Sequence, residues 1–259
     1  MIKGLFNKLL NKKNDASEET EVMKESKAMD NKMVIKDPIK GKLKILLQEV
    51  DYFHKNKIKI AEEIYEQYDG KNLCNVYKNA IVKMEDKIDE LEEKCELKNS
   101  CHAGCNACCY QLIGLNPYER KVITEAVMHL TSKERKKIKL KAEENVRKLE
   151  KTGFCVKHNS KKNDEDYTKG ELIEYIQLNL RCPLLNDENM CMIYETRPCA
   201  CWSYRNYGYK EECEGNLAKY GYAYETAINP VIEALSVINY EKVDPYDFVI
   251  LPVFLTEIL

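Results

Sequence analysis

The chain has 259 residues, of which 44% are hydrophobic, and its 41 basic and 43 acidic side chains give a formal net charge of −2. This length allows one large domain or two small ones with a real core, and the near balance of charge argues against a general nucleic-acid binder. The sequence has no run of about 18 apolar residues, so it predicts no membrane-spanning helix.

The N-terminus carries no recognisable secretory signal, because residues 1–13 contain neither an unbroken apolar core nor a small-residue cleavage site. We therefore expect a cytoplasmic protein whose twelve cysteines stay reduced and act as metal ligands or buried side chains rather than as disulfides. Residues 1–13 are amphipathic. They predict a self-packed N-terminal turn, with weak contact to a membrane surface as the alternative.

The chain divides into four predicted parts, and the predicted fold class is mainly α with an irregular cysteine-rich core and short extended segments. Residues 1–40 form an amphipathic N-terminus and a disordered linker, and residues 41–98 form a helical hairpin. Residues 99–215 form a cysteine-cluster metal-binding domain. Residues 216–259 form a C-terminal helix and an apolar tail that packs on the core.

Helical spacing of apolar side chains predicts one helix over residues 42–69, ended by Gly70, and a second over residues 72–97. Together these two helices make the hairpin that leads into the first group of cysteines. Cys74 and Cys95 lie in the second helix and are predicted to be small buried hydrophobes rather than ligands.

Capping residues mark the start of two further helices. Asn116 followed by Pro117 combines a good N-cap with a residue suited to the first helical position. Thr131 with Glu134 three residues later is a capping box. It predicts the start of a strongly charged helix, which Gly153 ends.

The remaining segments are predicted from composition and pattern. Residues 111–115 suit a short strand, and residues 155–170 suit a polar surface loop. Residues 171–180 fit either a strand or a helix. A helix is predicted over residues 217–237, kinked or interrupted at Pro230.

Two groups of cysteines dominate the chemistry. The first block, residues 101–109, contributes Cys101, Cys105, Cys108 and Cys109. The second block, residues 182–213, contributes Cys182, Cys191, Cys201 and Cys213. Thiolates are soft ligands that select zinc, copper(I) or iron–sulfur clusters. Eight of them allow two four-cysteine sites, or one four-ligand cluster plus four other roles.

Four residues near the blocks have open roles. His102 is predicted to be a hydrogen-bonding neighbour, with metal ligation as the alternative. Arg197 is a candidate to neutralise an anionic cluster, with a surface arginine as the alternative. Cys155 and Cys199 are surplus to the set of eight, and the sequence does not assign them.

The pattern Cys101…Cys105-x2-Cys108-Cys109, followed by Cys182-Pro183-Leu184-Leu185…Cys191…Arg197-Pro198-x2-Cys201, resembles the bacterial YkgJ-type cysteine-cluster family. The resemblance covers roughly residues 95–215 and implies a zinc- or iron-chelating domain. The chain departs from the family in two places. Three residues separate Cys101 from Cys105, where the family has two. Trp202 stands where the family has an arginine, and Arg205 is a candidate substitute for that arginine.

The preferred hypothesis is a metal-binding protein that holds an iron–sulfur cluster, [4Fe–4S] by expectation, with zinc as the alternative and an unidentified protein partner or substrate. Whether the protein is an enzyme stays open. The domain family is similar to flagellin lysine N-methylases, which makes a lysine N-methylase the enzymatic alternative. Two weaker alternatives are a radical S-adenosylmethionine enzyme, in which an aromatic residue normally replaces Ala107, and a zinc-dependent interaction module whose tyrosines stack on a partner.

Overall fold

Helices make up most of the residues that the computed structural model describes, which confirms the mainly α fold class. The described residues are 37–102, 104–154, 169–215, 217–239 and 247–259. Asp37–Leu259 form one compact unit. The predicted amphipathic segment over residues 1–13, the linker up to residue 36, and Cys155 lie outside the described residues.

The N-terminal part of this unit consists of three short helices: α1 (Pro38–Glu49), α2 (Asp51–Lys55) and α3 (Lys57–Tyr65). The prediction of a single helix over residues 42–69 was therefore wrong. The breaks fall at the buried Val50 and at Asn56, whose side-chain amide donates to the carbonyl of Tyr52 at 2.8 Å. Asparagine competes for backbone groups in this way and disfavours a helix interior.

The second predicted helix is confirmed as α4 (Leu73–Lys94), a single helix of 22 residues. The side chain of Asn72 caps it by accepting from the backbone N–H of Asn75 at 3.0 Å. Its apolar face is buried, and Tyr77 and Ile88 on that face are fully inaccessible. Cys95, just past the end of α4, is also buried, as predicted.

Both predicted caps are present. Strand β1 (Gly114–Leu115) precedes α5 (Pro117–Met128), whose cap Asn116 accepts from the N–H groups of Tyr118 and Glu119 at 3.0 Å each. The capping box of Thr131 and Glu134 then starts α6 (Ser132–Thr152). Gly153 ends α6 in the left-handed conformation with φ of 76°.

The rest of the unit combines short helices with two small antiparallel sheets. Residues 171–180 belong mostly to helix α7 (Lys169–Gln177). After it come α8 (Cys199–Trp202), β2 (Tyr204–Asn206), β3 (Gly221–Ala223), α9 (Glu225–Asn239), β4 (Val249–Ile250) and α10 (Leu251–Ile258). Strand β1 pairs with β4, and β2 pairs with β3.

The helix predicted over residues 217–237 begins later, at Glu225, because Gly221–Ala223 pairs as a strand with β2. A side chain at position 221 would meet the ring of Tyr204, which would have to move to make room for it. Pro230 lies inside α9, which continues through it, so the predicted interruption of the helix at this residue was wrong.

The apolar tail packs on the core, as predicted. In α10, Leu251, Phe254 and Leu255 are buried in a cluster with residues of β1, α5 and α6. Cys182, Cys191 and Cys201 pack against the same cluster. Three cysteines of the second block therefore lie directly against a buried apolar cluster. No helix in the described part of the chain has the length and apolar character needed to span a membrane.

Candidate metal centre

The first cysteine block lies in the loop that follows α4, and β2 holds its beginning in place. The backbone N–H of Ser100 donates to the carbonyl of Asn206 at 2.8 Å. In return, the backbone N–H of Asn206 donates to the sulfur of Cys101 at 3.4 Å. Burial raises the pKa of Cys101, and the N–H of Asn206 opposes this effect because it stabilises the thiolate form.

The middle of the first block is a tight turn. Gly104 takes a left-handed φ of 85°, and the N–H of Cys105 donates to the carbonyl of His102 at 3.0 Å. A short 3₁₀ turn over Ala107–Tyr110 follows and carries the adjacent Cys108 and Cys109. Glycine is the residue that adopts this conformation without steric cost.

The second block begins with a hairpin-like turn. Leu185 and Cys191 form an isolated antiparallel bridge, and the N–H of Met192 donates to the carbonyl of Leu184 at 2.9 Å. The side-chain oxygen of Asn186 fixes the turn by accepting from the N–H of Met190 at 2.8 Å. This geometry returns Cys191 to the neighbourhood of Cys182.

The last two cysteines come from separate turns. Cys201 lies on α8, where its N–H donates to the carbonyl of Pro198 at 2.8 Å. Cys213 ends a 3₁₀ turn over Lys210–Cys213 and is buried.

The two blocks meet directly, although about 70 residues separate them in the chain. The backbone N–H of Cys182 donates to the carbonyl of Cys109 at 2.8 Å. Seven of the eight predicted ligands line one cavity of about 270 Å³, namely Cys101, Cys105, Cys108, Cys109, Cys182, Cys191 and Cys201. The folded chain therefore brings the two sequence patterns into a single site.

The thiols interact electrostatically in two sets, one formed by Cys213 with the first block and the other formed around Cys182 and Cys191. Cys213 lies near the first block: burial, followed by the thiols of Cys101, Cys108 and Cys105, raises its pKa to about 11. Burial and the neighbouring Cys191 raise the pKa of Cys182 to about 12. Cys108 interacts with members of both sets and stands at their junction.

The adjacent Cys108 and Cys109 differ in acidity. The thiol of Cys109 hydrogen-bonds the sulfur of Cys108, which lowers the pKa of Cys108 to about 7 despite its burial. The same bond, followed by burial and the neighbouring sulfurs, raises the pKa of Cys109. Because adjacent thiolates repel each other in a buried site, full ionisation of the eight thiols requires cations between them.

Two arginines stand at the cavity and share one carboxylate. Arg197 and Arg205 donate to the same oxygen of Glu85 at 2.6 and 3.0 Å. Arg197 also stacks on the ring of Tyr194, 4.2 Å from its centroid. The sequence indicated Arg197 and Arg205 as candidates, but it gave no signal for Glu85, which lies more than a hundred positions away on α4.

His102 and Cys199 occupy different environments. His102 is exposed at the cavity, and its Nδ1 atom hydrogen-bonds the carbonyl of Ser100 at 3.0 Å. Cys199 is buried beside α4 and α5, where its sulfur lies 3.3 Å from the hydroxyl of Tyr77 and its N–H donates to Glu119 at 3.0 Å. Cys199 thus joins the packing that supports α8.

The shared carboxylate gives a first prediction. Glu85→Gln is expected to lower the free energy of unfolding by about 2 kcal/mol, because two largely buried guanidinium groups lose their common anion. Urea denaturation of the metal-loaded protein measures the effect. Glu195→Gln, at an exposed ion pair with Lys78, is the matched control and is expected to change stability by less than about 1 kcal/mol. Equal stabilities of the two variants would contradict the bridging role of Glu85.

The donor set restricts the metal. Thiolates alone fit zinc, copper(I) or an iron–sulfur cluster, whereas magnesium and calcium require oxygen ligands. Comparison of the chain with protein-family models, with curated proteins and with solved structures gives no match.

Proposed function

We propose that the chain is a metal-binding protein whose two cysteine blocks hold an iron–sulfur cluster, with [4Fe–4S] as the expected form and zinc as the alternative. One observation carries the proposal: seven cysteines from two distant segments line a single cavity. Buried thiols that gather around one space without forming disulfides are typical of soft-metal sites. The proposal agrees with the YkgJ-type resemblance of residues 95–215.

The cavity has room for more than a single ion. Its volume of about 270 Å³ is well above the roughly 10–15 Å³, on the same measure, that one water molecule needs. Iron–sulfur clusters of the [2Fe–2S] and [4Fe–4S] types each take four cysteine ligands. Eight cysteines in two interacting sets therefore allow at most two such clusters in each chain.

The sets define a proposed ligand assignment. Cys109 interacts with Cys182 and Cys201, and Cys191 is part of the same group. We assign these four cysteines to one centre. Cys101, Cys105 and Cys213 belong to the other, and Cys108, which interacts with both groups, is the candidate for its fourth ligand.

Polar residues around the cavity would tune a bound cluster. The N–H of Asn206 donates to the sulfur of Cys101, and such hydrogen bonds raise the reduction potential of a cluster. Arg197 and Arg205 also line the cavity, where the acidic Glu85 and Asp89 offset their positive charge. When bound, the cluster would supply one-electron transfer, and the protein would set its potential through these groups. The need for reduced thiols makes a cytoplasmic location part of the proposal.

Anaerobic purification followed by metal and sulfide analysis tests the proposal. We expect iron and acid-labile sulfide in similar amounts, together with broad visible absorption that bleaches on reduction. Zinc at one or two ions per chain in a colourless protein would replace the cluster with the zinc alternative. Absence of both metals, in a protein whose thiols titrate as free, would overturn the assignment of the cysteines as ligands.

A further inference from the structure

A second group of metal-ligating side chains lies outside the cysteine blocks. Cys74 is in the first turn of α4, Glu125 is in the last turn of α5, and His129 caps the end of α5. Their ligand atoms, one sulfur, one carboxylate oxygen and one ring nitrogen, all lie within 4.8 Å of one another. No other group of three such residues in the described part of the chain meets this distance.

We propose that Cys74, Glu125 and His129 form a separate site for a divalent transition-metal ion, with Zn²⁺ as the physiological choice. Cysteine, histidine and carboxylate are the three ligand types that zinc takes in proteins. Three protein ligands leave one of the four tetrahedral positions for a water molecule. The sequence prediction that Cys74 serves only as a buried hydrophobe did not include this site.

Local structure presents the ligands together. Glu125 and His129 are four residues apart, so both side chains lie on the same face of α5. Cys74 reaches them from α4: its backbone N–H donates to the carboxylate of Glu125 at 3.4 Å. Cys74 and Glu125 are partly buried, whereas His129 is exposed. The site is therefore anchored on its inner side and open to solvent on its outer side.

The charges match a divalent cation. A Cys74 thiolate and the Glu125 carboxylate supply two negative charges, and neutral His129 supplies none. Without a cation the thiolate is disfavoured, since burial and then Glu125 raise the pKa of Cys74 to about 12. The thiol instead lies 3.6 Å from the carbonyl oxygen of Val122. A bound ion would displace the thiol proton and offset both negative charges.

The consequence would be a link between two helices. The ion would join the N-terminal turn of α4 to the C-terminal end of α5, two elements that pack together in the core. This site draws on none of the eight block cysteines, so its occupancy is independent of the cluster proposal.

Zinc binding by four forms of the full chain tests the site: the wild type, Cys74→Ala, His129→Gln and the control His54→Gln. His54 is an exposed histidine on α2 and matches His129 in the chemistry of the change. After dialysis against Zn²⁺, we expect the wild type and His54→Gln to hold one more zinc per chain than the other two. The loss of a ligand should weaken binding by more than the ~10–100-fold that loss of an outer-shell partner costs.

Amide hydrogen exchange gives a local readout. Zn²⁺ is expected to slow exchange in residues 73–77 and 125–130 of the wild type, and to have no such effect in His129→Gln. The same slowing is expected in Cys182→Ser, whose block site is impaired, so that failure of the cluster proposal would not obscure this result. Equal zinc content in all four forms, or unchanged local exchange in the wild type, would overturn the proposal. His129 is exposed, so its variant stays informative if Cys74→Ala does not fold.

Discussion

Replacing Cys182 with serine is expected to release bound metal and to lower the melting temperature by about 6–12 °C. The thiol of Cys182 is buried beside Cys191, and its backbone joins the two cysteine blocks. Metal affinity and folding are linked, so loss of one ligand weakens both. A loss of about 3 kcal/mol corresponds to a shift of that size in a unit of this length.

Cys95→Ser is the matched control for this experiment. Cys95 is also buried, with 4% of its surface exposed, and its replacement likewise buries a hydroxyl group. We expect both variants to lose stability, but only Cys182→Ser to lose metal. Elemental analysis of the two variants therefore separates ligand loss from simple core damage. Equal metal content in both would contradict the role of Cys182 as a ligand.

The second large effect concerns the buried carboxyl group of Glu119, which is 2% exposed. Desolvation raises the pKa of Glu119 from 4.5 to about 7, although it accepts hydrogen bonds from Cys199 and Asn116. Between these two values the folded state binds a proton that the unfolded state releases. The contribution of Glu119 to stability is therefore fully present below pH 4.5, and it is lost as the pH rises through about 7.

We expect the free energy of unfolding of the wild type to fall by about 2 kcal/mol relative to that of Glu119→Gln between about pH 5.5 and about pH 8.5. Glutamine cannot ionise, so its contribution stays constant across this range. Urea denaturation at several pH values measures the difference, and metal effects common to both forms cancel. Glu143→Gln, at an exposed position on α6, is expected to follow the wild type. Parallel pH profiles for wild type and Glu119→Gln would show that Glu119 is already charged in the folded state.

The parts of the fold that depend on local chemistry were predictable from sequence. The caps at Asn116 and Thr131 and the left-handed stop at Gly153 lie where their residue types indicated. Each of these signals acts within about one helical turn, so the residues next to each cap in the sequence are enough to recognise it. The apolar tail was also predictable, because removing strongly hydrophobic side chains from water is favourable.

Features that depend on distant residues were not predictable. The break between α1 and α2 lies at Val50, which is buried in the core, and no glycine or proline marks it. The strand over Gly221–Ala223 depends on its pairing with β2. Similarly, Glu85 gains its role only when the fold brings Arg197 and Arg205 to α4.

The candidate site shows the same division. The cysteine spacings indicated a soft-metal site, since the donors themselves carry that chemistry. The division of the eight into two sets needed the three-dimensional arrangement, in particular the placement of Cys213 near Cys101 and Cys105. The group formed by Cys74, Glu125 and His129 also lacks a short sequence motif, because α4 supplies one ligand and α5 the other two.

The hydrogen bond from Cys182 to the carbonyl of Cys109 also has a consequence for biosynthesis. A ribosome that adds 5–20 residues per second takes about 4–15 s to make the chain between these two cysteines. During that interval the four thiols of the first block have left the ribosome without the second block to enclose them. Under the proposed function, the nascent chain would therefore need a reducing environment before it could bind metal, and the full set of cavity thiols would be present only once Cys201 had been made.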